Sequence, residues 1–456
     1  MNIMNDESPS SSDPTPDDEF RDLFAQFLAG NGEIDPAALA GVAGLPSDPA
    51  ALRALLSQLQ SALSNPSSVE ATAKLSLDQA VAAAGRDDAS VTDATRAAYD
   101  QAFDLADLWL SEVTDVSALQ APPMLLTRRE WVRATMDVWR ALSEPVASSI
   151  SGAMGTMLES QTPEDMKSTL GSASAMVQSV GSTLFAMQLG HVVGQLSAEV
   201  LSGGDIGVAL LPDGRAGVLP QNVTALSTGL DVAEQEVQLY IAIRELAHAR
   251  LFHHARWLPL DLQSALTAYA QGIHIDAGPL ESLMENFDPS RPDELRSALT
   301  DGRLIPPRSD EQKRALERIE TQLALIEGWV DVVTEDATRR LPRSNALAET
   351  MRRRRASGGP AESAFAALVG LELRPRRLRE ASAMWRAVTT AIGASARDAL
   401  WSHPDAMPSS DDVSAPDSFV ARLVAQSRGE APIQDDIDRA LADLLRDEPN
   451  ESTNDS

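Results

Sequence analysis

The sequence predicts a mainly α-helical protein with one small β-hairpin or short sheet. Three observations carry this. Apolar residues recur three and four positions apart through most of the chain, from Phe20 to Trp401. Only residues 202–223 read as extended. No period of the kind that marks a solenoid is visible.

Residues 1–18 are Ser, Pro, Asp and Glu with hardly an apolar side chain, and are expected to be disordered. A helical region, 19–125, follows. Phe20, Leu23, Phe24 and Phe27 share helical spacing, as do Leu52, Leu55, Leu56 and Leu59. From Ser90 to Glu112 a broad apolar side is predicted to carry Ala97, Phe103, Leu105, Leu108 and Trp109. Thr127 with Glu130 three residues on reads as a capping box opening a helix that carries Trp131, Val132, Met136 and Trp139. This begins the expected core, 126–404. Residues 160–198 are rich in Met, Ala, Gly and Ser, a composition that lets helices approach closely; His191 within them is expected in the core. Asp213-Gly214 lies between two short apolar runs, a hairpin signal. A long helix is predicted from about Asp310 to Thr338 on Leu316, Ile319, Leu323, Ile326 and Val330. Arg352 to Arg355 read as a solvated face or a counter-charge to the acidic ends, with phosphate binding as a weaker alternative. Residues 405–456 are expected to form an acidic, largely disordered tail with short helices near Phe419–Val424 and Ile437–Leu445.

Composition excludes some chemistry. The chain has no cysteine, so disulfides, thiolate zinc sites and cysteine nucleophiles are absent. A formal charge of −29 disfavours a nucleic-acid partner, because phosphate calls for a basic surface. The first twenty residues have no signal-peptide core, and no apolar run is long enough to span a bilayer. The expectation is a soluble, cytoplasmic protein.

The chemistry concentrates in residues 240–257, YIAIRELAHARLFHHARW. Val237, Ile241, Arg244, His248 and Leu251 fall on one helical stripe, whose apolar members call for burial. Arg244-Glu245-x-x-His248 is the zinc-peptidase signature HExxH with arginine in the first histidine's place. Histidines four apart converge on one ion, and the Glu between them takes a proton from metal-bound water. Arg244 offers no lone pair to a cation. In the later helix Glu327 and Asp331, also four apart, share a face. That ExxxD spacing resembles the gluzincin group of zinc peptidases typified by thermolysin. The resemblance implies Glu327 as a zinc ligand beside His248, Asp331 as the group that orients the first ligand, and Glu245 as the catalytic base.

A wider resemblance covers residues 95–420. LADLWLSEVT, TRREWV, GQLSAEVLSGGDIGV, RELAHARLF, LIEGWVDVV, RRRRASGGPAESAFAALVGLELRPRRLREA and LWSHPDAMPSSDD are similar to stretches of actinobacterial zincin-like proteins. Those are described as zinc-dependent metalloproteases or hydrolases, some associated with deazaflavin-cofactor biosynthesis. The resemblance implies a zincin-like helical domain, zinc as cofactor and a peptide or protein as substrate.

Two readings follow. In the first, a weakened zinc site on His248 and Glu327, helped by His191, His253, His254 or His274, serves a metalloprotease-like hydrolase. His253 and His254, five and six residues past His248, turn away from its face. In the second, Arg244 supplies the missing positive charge by pairing with Asp331 and with Glu327 or Glu245. The chain is then an inactive zincin-fold scaffold that binds a peptide or protein.

Overall fold

The computed structural model describes residues 69–160, 167–272, 308–369 and 376–429, all within the unit Ser67–Ser456. Segments 1–18, 20–27, 52–59 and 437–445, for which disorder or helix is expected, lie outside the described residues, as does His274.

The first helix is α1, Val69–Ala84. The second, α2, Asp93–Leu110, opens at an N-cap where Thr92 accepts from the Thr95 amide. It buries Tyr99, Phe103, Ala106 and Leu110, whereas Leu105 and Leu108, expected inside, are exposed. A broad apolar stripe exceeds what one neighbouring helix can cover.

Strand β1, Met124–Leu125, leads into α3, Arg128–Ser160. The predicted capping box is present. The Thr127 amide donates to Glu130 Oε2 at 2.8 Å, and the Glu130 amide donates to Thr127 Oγ1 at 3.2 Å. Trp131, Val132, Met136 and Trp139 are buried. Helix α4, Lys167–Leu196, packs against α1 and α3. His191 on α4 is exposed and so is no core histidine.

Strand β2, Gly217–Val218, resolves the extended region as a short sheet. Asp213 and Gly214 do form a tight turn with positive φ. The chain segments beside it do not pair across it as a two-residue hairpin. β2 runs parallel to β1 instead, with Met124 opposite Gly217 and Leu125 opposite Val218, and bridges antiparallel to Ser202.

After α5, Pro220–Thr228, come α6, Glu234–His254, and α7, Leu258–Gln271. Buried residues from Val237 to Phe252 face every direction, so α6 is an interior helix. Helix α8, Asp310–Ala337, opens at a Ser309–Gln312 capping box and is buried along most of its length. After it come α9, Ser344–Ala356, α10, Pro360–Val369, and α11, Arg376–Ala399. Helix α8 packs against α6, α7 and α11.

Gly328 sets the approach of α8 to α11: a Cβ there would lie 2.8 Å from the Ala381 carbonyl carbon. Behind it, Trp385 donates to the Leu325 carbonyl at 2.9 Å and stacks on Trp401 at 5.5 Å. Helices α12, Ser410–Ser414, and α13, Pro416–Ser427, pack on α11 and bury Val413 and Phe419. No helix of the described residues is long and apolar enough to cross a membrane.

Candidate functional site

The site is where α6 crosses α8. Arg244, Glu245 and His248 come from α6, Glu327 and Asp331 from α8, and all five are buried. Both helices are hydrogen-bonded internally, so each four-residue spacing puts its two side chains on one face, towards the other helix. Arg244 divides its guanidinium between the carboxylates: Nη2 donates to Glu327 Oε2 at 2.7 Å and Nη1 to Asp331 Oδ1 at 3.3 Å. Glu245 is not its partner.

His248 lies against the same carboxylate. Its Nε2 is 3.0 Å from Glu327 Oε1, and its Nδ1 is 3.0 Å from the Arg244 carbonyl. Burial, and then the charges of Arg244 and Arg355, hold its pKa well below the ordinary histidine value. A neutral ring carries one N–H, yet two oxygens face this one.

Glu245 faces elsewhere. Its Oε1 accepts from the Gly217 amide at 2.8 Å and its Oε2 from the Gly204 amide at 2.9 Å. The Ser202 side chain adds a further hydrogen bond. β2 and the 202–205 loop thus form a cradle on α6. It is tight: a Cβ on Gly204 would lie 2.5 Å from His248 Cβ. Burial pushes the Glu245 carboxyl up to about 7, against those three hydrogen bonds.

The arginine run completes the site, and it is not the solvated face expected. Arg355 donates to Glu327 Oε2, the oxygen that Arg244 already holds. Arg354 donates to both Asp205 oxygens, at 3.0 and 2.9 Å. Arg352 donates to Asp331 Oδ2 at 3.0 Å and pairs with Glu335. Only Arg353 turns outward, to Glu349. Burial alone would raise the Asp205 carboxyl, but Arg354 and Arg355 outweigh it and hold it below the usual range. Burial, and next the charge of Arg244, press the Arg355 pKa downward, as expected for two cations brought together. The offset of three between Arg352 and Arg355 carries the signal that those two share a face; nothing of the kind marks Arg354. The partners of these arginines, distant in sequence, do not announce themselves.

The donor set does not fit zinc. A catalytic zinc takes three protein ligands and keeps one open position. Here the first position holds a guanidinium, and Glu327 Oε2 carries two cations already. Among the described residues no group of three or more His, Asp and Glu side chains is arranged to hold an ion. His191 and His254 are exposed, His253 is half-buried, and none of the three lines the cavity beside Glu245 and His248. The cavity beside Glu245 and His248 measures about 10 Å³, roughly one water molecule. Larger cavities of about 400 and 670 Å³ include none of the five residues.

A buried Glu-x-x-His helix crossed by a Glu-x-x-x-Asp helix, in a mainly α-helical domain with a two-stranded sheet, is the arrangement that the resemblance to zincins implies. The chain belongs to the zincin-like metallopeptidase family, which it matches over residues 69–420. It is also similar in fold to a crystal structure from Chloroflexus aurantiacus described as "a putative hydrolase with a novel fold". The TM-score is 0.52 at 20% identity, covering 77% of this chain and 97% of that one. No curated protein matches.

Proposed function

We propose that this chain is a zincin-fold protein without peptidase activity, in which arginines have replaced the metal, and that it serves as a binding scaffold for a peptide or protein. One observation carries the reading. The Glu327 carboxylate, the family's expected metal ligand, is taken up by Arg244, Arg355 and His248. A metal there would have to displace guanidiniums whose removal leaves buried charge unpaired. The small cavity next to Glu245 supports the same conclusion, since no peptide bond can reach that carboxyl as it stands.

A specific observation favours the second reading, a zinc-dependent hydrolase. If His248 gives its one N–H to the Arg244 carbonyl, its Nε2 lone pair faces Glu327 Oε1 at 3.0 Å. Two acceptors so close call for a cation between them, and in the hydrolase reading that cation is zinc. In the scaffold reading the neutral ring takes the other tautomer and its Nε2–H donates to Glu327 Oε1.

Metal analysis of the full chain, purified and equilibrated with zinc, separates the two. The scaffold reading expects zinc far below one per chain and no cleavage of a generic protein substrate such as casein. Stoichiometric zinc that is lost in both His248→Ala and Glu327→Ala overturns it.

A further inference from the structure

The structure assigns to Arg355 a role beyond that scaffold reading, on which this inference rests: Arg244 and Arg355 together take the place of a divalent cation, and Arg355 is the residue that keeps zinc out. The loss of the first histidine would by itself remove one ligand. It would leave His248, Glu327 and Asp331 in position, and the space in front of Glu327 open to a metal. Arg355 fills that space. It comes from α9, outside both helices of the family's motif, and ends on the oxygen that Arg244 also holds. Two guanidiniums carry the charge of one zinc ion.

Three features support a substitution over an ordinary surface ion pair. First, Arg355 is positioned by its neighbours: Arg352 ties α9 to Asp331 and Arg354 ties it to Asp205. Its side chain is 13% exposed, against 76% for Arg353. Second, like charges sit together in the interior, an arrangement that persists only where anions compensate it. Glu327, Asp331 and Asp205 do so. Third, the site leaves donors over. Arg244 Nε and Arg355 Nη2 are buried without an acceptor, and so is the Tyr240 hydroxyl one turn before Arg244. A guanidinium has five donors in a fixed plane. Two such forks bring more donors than carboxylates placed for one spherical ion can accept.

The test is to convert the site back, in the full chain. Arg244→His, Arg355→Leu and the double substitution are titrated with zinc against a chromogenic chelator, with thermal stability followed in zinc and in EDTA. The double variant is expected to bind one zinc and to gain an EDTA-reversible rise in Tm. Arg244→His alone is expected to bind on the order of 100-fold more weakly, because Arg355 still caps Glu327. Equal affinity in Arg244→His and the double variant overturns the role of Arg355. So does a folded double variant that takes up no zinc. If the double variant unfolds without metal, refolding from urea with and without zinc reads the same outcome. Failure of zinc to promote refolding counts against the proposal. A wild-type chain that already holds zinc would instead sink the scaffold reading; a zinc-free wild type with an unresponsive double variant sinks only this inference.

Discussion

Arg244 and Glu327, 83 residues apart in sequence, form a buried ion pair with Nη2 and Oε2 at 2.7 Å. It joins the first-ligand position of one helix to the expected ligand of the other. Exposed pairs of this kind contribute little, whereas a buried charge left wholly unpaired costs about 3–5 kcal/mol. Without Arg244, Glu327 keeps Arg355 and His248, and Asp331 keeps Arg352, so Arg244→Met is expected to destabilise the protein by about 1–3 kcal/mol. Arg244→Lys keeps the charge but loses the fork that spans Glu327 and Asp331, and should recover only part of this. Urea denaturation of the three proteins measures both. A loss below about 1 kcal/mol for Arg244→Met, the range of an exposed pair, contradicts the burial argument.

Glu245 and His248 give stability opposite pH dependences. The Glu245 carboxyl is raised from 4.5 to about 7. Between those values the folded protein keeps a proton that the unfolded chain releases, so this contribution is full below 4.5 and is lost as pH rises through 7. Its size is about 3 kcal/mol. The His248 value is lowered below 6.5. The unfolded chain takes up that proton first, so the His248 contribution is full above 6.5 and is lost as pH falls below it. The two oppose each other from 4.5 to 6.5, and above 6.5 only the Glu245 decline remains. Glu245→Gln is expected to flatten the fall in Tm between pH 6.5 and 8. An unchanged profile in that variant would show that Glu245 titrates normally.

What the sequence made legible was local. Helical spacing put Arg244 with His248 and Glu327 with Asp331 on one face each, the resemblance to gluzincins implied that those faces meet, and Thr127 with Glu130 marked the start of α3. Contacts between distant segments were not legible. Asp213-Gly214 has the chemistry of a hairpin turn, and the turn forms, but β2 pairs with β1, some ninety residues earlier. The arginine run has the composition of a solvated face, and its direction is set by Asp205, Glu327 and Asp331. Leu105 and Leu108 fit the apolar pattern of α2 and still point outward, because periodicity names a face and not its width.

Gly204 tests the cradle around Glu245. Its amide donates to Glu245 Oε2 at 2.9 Å, and an added Cβ would sit 2.5 Å from His248 Cβ. Neither group can yield without moving the 202–205 loop or the α6 helix. Gly204→Ala is expected to cost about 1–3 kcal/mol, the range for overpacking an interior. It should also shift the His248 imidazole resonances in an NMR spectrum. A variant with unaltered stability and spectrum would show that the loop does not rest on α6.

Adjacent arginines on α9 should behave as different kinds of residue. Arg353 is 76% exposed and pairs along its own helix with Glu349 at 3.4 Å. Such a pair is worth about 0.3–0.5 kcal/mol, so Arg353→Ala should be close to silent. Arg354 is 18% exposed and its partner Asp205 only 2%. Asp205 also accepts from the Leu201 amide at 2.9 Å, which ties the ion pair to the loop that carries Gly203 and Gly204. Removing Arg354 leaves a buried carboxylate that, among the cations that hold it down, only the more weakly acting charge of Arg355 still stabilises. Arg354→Ala is therefore expected to cost several times more than Arg353→Ala. Its loss should be smallest at pH well below the ordinary carboxylate value, where Asp205 is protonated, and should grow as the pH rises and Asp205 ionises. Equal losses for the two substitutions, or one independent of pH, would return the whole run to the solvated face that its composition suggests.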